Sequence, residues 1–222
     1  MPAPISVIIP TLNAGQMLPA CLHALMEGVE AGLIAELIVS DGGSSDETCA
    51  LADAWGATVI TGPASRGGQL RRGCGLAKGD WLLVVHADTV LAPGWTTAVA
   101  THLGAATPAY FKLCFDRGGR FVAAWANLRA RVFQLPYGDQ GLLIRRTLYA
   151  HVGGYPDIAL MEDVALARRL KGQLVALDGV AVTSAAKYHQ QGWVRRGARN
   201  LWTLVRYFAG TDVEVLARAY RR

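Results

Sequence analysis

Asp41, Asp88 and the pair Glu162-Asp163 each fall where an apolar run ends or a helical pattern begins. Asp88 is the most telling. It closes the stretch Trp81-Leu82-Leu83-Val84-Val85-His86-Ala87-Asp88, in which apolar residues run straight into a histidine and an acid. Such a run suits a strand buried on both faces of a parallel sheet. Ligands of open α/β sheets bind just beyond the carboxyl ends of such strands. A carboxylate stranded at that rim needs a partner, and a divalent cation held against a diphosphate is a good one, because hard oxygen ligands suit Mg²⁺ and Mn²⁺. Simpler readings exist for each acid alone. Asp88 would cap a helix announced by Thr89 and Pro93, Asp41 would be a turn former, and Glu162-Asp163 would be favourable charge at a helix start. In this order along one chain, the three together point to one shared site.

The elements that must position them are legible in outline. Ile5–Ile9 reads as a buried strand ended by Pro10, and Met17–Met26 carries apolar residues at helical spacing. Glu36–Ser40 is a second strand ending in Asp41-Gly42-Gly43, and Ser44 with Glu47 predicts a capping box for a helix over Asp46–Trp55. Thr58–Thr61 is a short third strand. This rhythm predicts right-handed crossovers and a parallel sheet. Arg66-Gly67-Gly68-Gln69 reads as a loop before a short helix over Leu70–Ala77. After the central strand come a helix near Pro93–Leu103, a strand over Tyr110–Phe115 and an Arg-bearing helix over Phe121–Phe133. Gly138-Asp139-Gln140-Gly141 leads into a strand at Leu142–Ile144. Glu162–Leu170 is a helix, and Gln173–Leu177 and Val180–Thr183 read as two short strands. Trp193–Phe208 is an amphipathic helix ended by Gly210, and Thr211 with Glu214 would cap a last one.

Composition narrows the class. A chain of 222 residues, 52% hydrophobic and 18% charged, fills one sizeable core and is not disordered. The four cysteines form no CxxC pair, which argues against a zinc site or a disulfide framework and for a reducing, cytoplasmic setting. No apolar run is long enough to span a bilayer, and no signal-peptide pattern opens the sequence. There are 22 bases and 17 acids; from Lys187 onward lie 8 of those bases but only 2 of the acids, which leaves 14 against 15 before it. The net positive charge thus belongs to the tail. It points to a phosphate-rich or membrane-surface partner there, not to a nucleic-acid binder. No GxGxxG, Walker A or GxSxG sequence is present.

The ordered set Val7–Asn13, Glu36–Asp46, Ala77-Lys78-Gly79-Asp80, His86-Ala87-Asp88 and Met161-Glu162-Asp163 resembles the family 2 glycosyltransferases of the GT-A fold, up to about Thr183. Within them it is similar to a subgroup with His-Ala-Asp in place of Asp-x-Asp. The resemblance implies a mostly parallel α/β sheet flanked by helices over 1–186, with a basic C-terminal helical tail over 187–222 that belongs to the same domain or is appended to it. It implies a nucleotide-diphosphate-sugar donor, Mn²⁺ or Mg²⁺, and inversion by single displacement. Pro10, Thr11 and Asn13 would line the nucleotide pocket, with Asp41 on the base and His86, Ala87 and Asp88 beside the diphosphate. Asp88 would hold the metal. Asp163 would be the base that deprotonates the acceptor hydroxyl, next to Glu162. Arg66, Gln69 and Arg71 would touch diphosphate or sugar, or be a solvated basic loop; Lys187 would neutralise the diphosphate. His189 would complete the metal shell, or be a surface histidine.

His86 departs from the family pattern and leaves only one carboxylate in the metal motif. The tail helix, with Trp193 and Trp202 among arginines, would lie on anionic lipid at the inner face of a membrane and meet a lipid-linked acceptor, or pack on the body with its arginines outward. Two rivals remain at this stage. One is a sugar-phosphate nucleotidyltransferase, which lacks its expected Gly-rich basic signature after the first strand. The other is a non-catalytic nucleotide-binding or membrane-docking relative.

Overall fold

The computed structural model describes residues 3–221, except the side chains of Lys187 and Arg221. The first half alternates strand and helix: β1 (Ile5–Thr11), α1 (Leu18–Glu30), β2 (Ile34–Asp41), α2 (Thr48–Ala54), β3 (Thr58–Thr61), α3 (Arg66–Leu76) and β4 (Trp81–Val84). A short β5 (Thr89–Leu91) and α4 (Trp95–His102) follow. Next come β6 (Ala109–Phe115), α5 (Arg120–Phe133), a 3-10 turn at Gly138–Gln140, β7 (Leu142–Arg145), α6 (Arg146–His151), α7 (Glu162–Arg169) and β8 (Val175–Thr183). Three helices end the chain: α8 (Ala186–Gln191), α9 (Trp193–Phe208) and α10 (Val213–Arg221).

The strands form one sheet in the order β3-β2-β1-β4-β7-β6-β8-β5. β3, β2, β1 and β4 run parallel, as do β6 and β8, whereas β7 runs against both β4 and β6. Side chains alternate between two cores. Val7, Ile9 and Leu83 pack with α1 and α4 on one face; Ile8, Leu82 and Val84 pack with α3 and α7 on the other. The reversed strand matters most for function. Val84 pairs with Leu142, so β7 begins at the rim where β4 ends. The Gly138–Gln140 turn before it is thereby delivered beside His86-Ala87-Asp88.

Several expected boundaries shift, for identifiable reasons. Arg66-Gly67-Gly68-Gln69 is the first turn of α3, not a loop. Its glycines are there for clearance: a Cβ at Gly67 would strike the carbonyl of Pro156, and Gly67 N–H donates to Ile158 O at 3.0 Å. The capping box of Ser44 and Glu47 does not form. Ser44 Oγ donates to Asp41, and Asp46 receives Thr48 N–H instead at the start of α2. The two short strands after α7 are one strand, β8, whose pairing with β6 slips near Asp178-Gly179. Asp212, not Thr211, accepts the first N–H groups of α10.

Candidate active site

At the shared rim a cleft of about 430 Å³ opens, lined by the strand ends and closed from the far side by the tail. Pro10 and Thr11 come from the end of β1, Arg66 and Gln69 from the first turn of α3, and His86, Ala87 and Asp88 from the end of β4. Asp139 lies on the 3-10 turn, and Glu162 and Asp163 open α7. A volume of this size suits a ligand of several rings.

The turn between α5 and β7 ties the acids together. Asp139 Oδ1 and His86 Nδ1 are 3.2 Å apart. Gly138 N–H donates to Asp163 Oδ2 at 2.8 Å, while Val164 N–H caps Asp163 Oδ1 at 2.7 Å. Gly138 must be glycine, because a Cβ there would enter the His86 ring. Met161, just before the acidic pair, holds a left-handed backbone at φ 66° and sets the entry into α7. A non-glycine residue there is a strained choice of the kind found at functional sites.

Electrostatics follow from this crowding. Glu162 is only 1% exposed, its Oε2 has no hydrogen-bond partner among the described residues, and Arg66 Nε stands 3.8 Å from its Oε1. Burial first, and the charge of Asp163 second, push the Glu162 carboxyl up to about 7, against the pull of Arg66. His86 is buried, which disfavours its charged form. The hydrogen bond to Asp139 and the charges of Asp139 and Asp88 outweigh this, so its pKa is raised. Partial burial opposes the charge of the half-exposed Arg66 guanidinium, but Glu162, Asp139, Asp163 and Asp88 around it outweigh this and hold it more firmly charged.

One imidazole and two carboxylates, from His86, Asp88 and Asp139, place their ligand atoms within 4.8 Å of one another. That donor set suits Mn²⁺ or Mg²⁺.

The chain matches the family model "Glycosyl transferase family 2" over residues 6–168. It is 33% identical over 172 residues to a PGL/p-HBAD biosynthesis glycosyltransferase of Mycobacterium tuberculosis (strain H37Ra), covering 70% of this chain and 64% of that one. The chain belongs to glycosyl transferase family 2. It spans just under two thirds of the length of this curated relative. Solved structures of like fold include glucosyl-3-phosphoglycerate synthase from M. tuberculosis in complex with Mn²⁺, UDP and glucosyl-3-phosphoglycerate. The TM-score is 0.60 at 23% identity, over 82% of this chain and 70% of that one. S. aureus TarS 1-349 in complex with UDP-GlcNAc aligns with a TM-score of 0.66 at 16% identity, over 82% and 58%. These are GT-A glycosyltransferases, and this family 2 chain shares their α/β architecture.

Not every anticipated residue reaches the cleft of this family 2 member. Asp41 is fully buried behind Thr11, and its two oxygens accept from Thr11 Oγ1, Ser44 Oγ, Gly43 N–H and Ser44 N–H. It organises the loop after β2 instead of lining the cleft. Asn13 likewise spends its side-chain oxygen on Ser45 N–H. Gln69 lines the cleft but donates its amide to the carbonyls of Thr11 and Ser40, stapling β1 to β2. Arg71 points away on the exposed side of α3. His189 is exposed on α8 with its ring edge on Trp193, and is not among the lining residues, so it stands apart from His86 and Asp88. The side chain of Lys187 lies outside the described residues.

Other lining groups have no counterpart in the sequence reading. Asp139 is one; its flanking Gly138 and Gly141 mark a tight turn, and that was the available signal. The tail supplies Tyr188, Arg196, Asn200 and Tyr220. Asn200 joins the two tyrosines, donating to Tyr188 Oη and accepting from Tyr220 Oη, both at 3.1 Å. Nothing in spacing announces that wall.

Proposed function

We propose that the protein transfers a sugar from a nucleoside-diphosphate sugar to an acceptor hydroxyl, with inversion in one displacement. The observation that carries this reading is the convergence of His86, Asp88 and Asp139 with Glu162 and Asp163 in a single cleft. His86, Asp88 and Asp139 would hold Mn²⁺ or Mg²⁺; when bound, the ion stabilises the negative charge that grows on a diphosphate leaving group. The UDP and Mn²⁺ bound to structural neighbours support a uridine diphosphate donor and this metal class.

Asp163 serves as the base. Two backbone N–H groups fix the position of its oxygens, and lone pairs remain to take a hydroxyl proton. Glu162 beside it, pushed up to about 7, keeps part of its population protonated near neutral pH, which limits repulsion within the acidic cluster. Arg66 offsets the acids and faces the space where phosphates would lie. Pro10 and Thr11 wall the nucleotide end; Tyr137, Tyr188, Arg196 and Tyr220 wall the acceptor end. The acceptor is a lipid-linked hydroxyl met at a membrane surface. The support for this is the basic tail and the exposed Leu201, Trp202, Val205 and Phe208 of α9.

The test is incubation with Mn²⁺ and a panel of nucleotide sugars, with product configuration read by NMR. Asp163→Asn should lower turnover by about 10²–10⁴-fold while UDP binding persists. Wild-type rates in that variant, or a retained anomeric configuration, would overturn the reading.

A further inference from the structure

Phe121 and Val194 are the two most exposed large apolar side chains among the described residues, at 93% and 86%. The starts of the two helices that carry them meet. Gly119, two residues before Phe121, packs against the ring of Trp193, the residue before Val194. From this junction two apolar stripes run outward. On α5 the exposed Phe121, Trp125, Leu128 and Val132 recur at steps of four, three and four, so they share one face, while Ala123, Ala126 and Ala130 are buried on the other. On α9 the exposed Val194, Leu201, Val205 and Phe208 recur at seven, four and three, again one face. Core packing does not account for stripes turned into water, and contiguous exposed apolar surface marks an interaction site.

The charges say what covers it. Residues 117–138 contain four arginines and no acid, and residues 187–211 contain five bases and no acid. Arg117, Arg120, Arg131 and Arg195 are exposed around the apolar face. Two copies of such a surface would bring like charges together, whereas an anionic headgroup layer pairs each arginine as the apolar side chains enter the acyl boundary. We infer that α5 and α9 form one docking surface for an anionic lipid bilayer, led by Phe121 and Val194.

Trp193 couples this surface to the cleft. Its ring stacks on Tyr188 at 4.8 Å and stands edge-on to Phe115 at 5.1 Å, and both of those residues line the cleft. Resting on the transferase reading above, this sets the acceptor end of the cleft against the headgroup layer.

Co-sedimentation of the full chain with vesicles tests the inference, comparing pure phosphatidylcholine with phosphatidylcholine containing about a quarter phosphatidylglycerol. The protein should pellet with the anionic vesicles, less so in high salt. Phe121→Glu with Val194→Glu should weaken partitioning at least about tenfold. A second variant, Arg117→Gln with Arg120→Gln and Arg195→Gln, should weaken it without touching an apolar contact, which guards against a folding defect in the first. Wild type left in solution with both vesicles, or partitioning unchanged in both variants, would overturn the inference. So would a wild-type dimer that the Phe121→Glu, Val194→Glu variant turns into monomer, since a second copy would then be the occupant. UDP-dependent thermal stabilisation in Mn²⁺, read on the same samples, reports the transferase reading separately and should be equal in all three proteins.

Discussion

Asp139 stands 3.2 Å from His86 although 53 residues separate them, because β7 runs antiparallel to β4 and starts where β4 stops. With Asp88 they form the one group of histidine and acidic side chains among the described residues whose ligand atoms lie within 4.8 Å of one another. His86 could offer a metal ion a nitrogen and Asp139 a carboxylate oxygen.

Asp139→Asn should therefore weaken Mn²⁺ binding by about tenfold or more, as loss of a ligand or of its orienting partner does. The measurement is the Mn²⁺ concentration dependence of UDP-induced thermal stabilisation. An unchanged midpoint would remove Asp139 from the metal set.

Gly138→Ala should displace the His86 ring and loosen the N–H bond to Asp163 together. Overpacking of this sort costs about 1–3 kcal/mol. Denaturant unfolding should show that loss, and Mn²⁺ affinity and turnover should fall in parallel. A fold as stable as wild type with both properties intact would show that the turn has slack.

Asp41→Asn tests a structural role in place of base recognition. Burial opposes the Asp41 charge, but the bonds from Ser44, Thr11 and Gly43 outweigh it and hold the carboxyl below the ordinary aspartate range. An amide would turn two hydrogens toward donors, and the loss should be about 3 kcal/mol at neutral pH. A depressed pKa means that the stabilisation is present above the unfolded value of about 3.9 and is lost as pH falls through the folded value. The gap between variant and wild type should thus narrow in acid. A gap that persists there, or a variant with normal stability but no UDP binding, would restore a direct role in recognition.

Glu162 carries the opposite sign. Its folded pKa of about 7 lies above the unfolded value of about 4.3, so the folded state binds the extra proton between them and stability falls as pH rises across that window. Glu162→Gln should remove this part of the slope and melt higher than wild type at pH 8, above about 7. Parallel melting curves from pH 4 to 8 would mean that Arg66 compensates the charge fully; that window brackets the two values of about 4.3 and about 7.

Much of the frame was readable from pattern. The runs at Ile5–Ile9 and Trp81–Val85 belong to doubly buried strands, and the helix over Trp193–Phe208 has the limits its periodicity implied. What escaped was set by tertiary contact. The first turn of α3 looks like a loop because its glycines answer to the backbone at Pro156, not to helix propensity. β5 is three residues long and is set by tertiary contact, pairing with β8 and burying Leu91 in the core. Ser44 leaves its expected cap because Asp41, a buried carboxylate three residues earlier at the end of β2, accepts its hydroxyl. Within the site, the acids after β4 and at the start of α7 were legible as strand-end and helix-start residues. Asp139 and the tyrosine wall depend on antiparallel pairing and on where α10 comes to rest, and no local period encodes either.

Pro10 and Thr11 of the first strand and Tyr220 of the last helix border the same cleft. Joining opposite ends of a polypeptide demands contacts of very high sequence separation, which form late. The sheet that carries the acids can therefore form before the wall that Ala217 and Tyr220 add to the cleft, and refolding of that wall should lag behind refolding of the sheet.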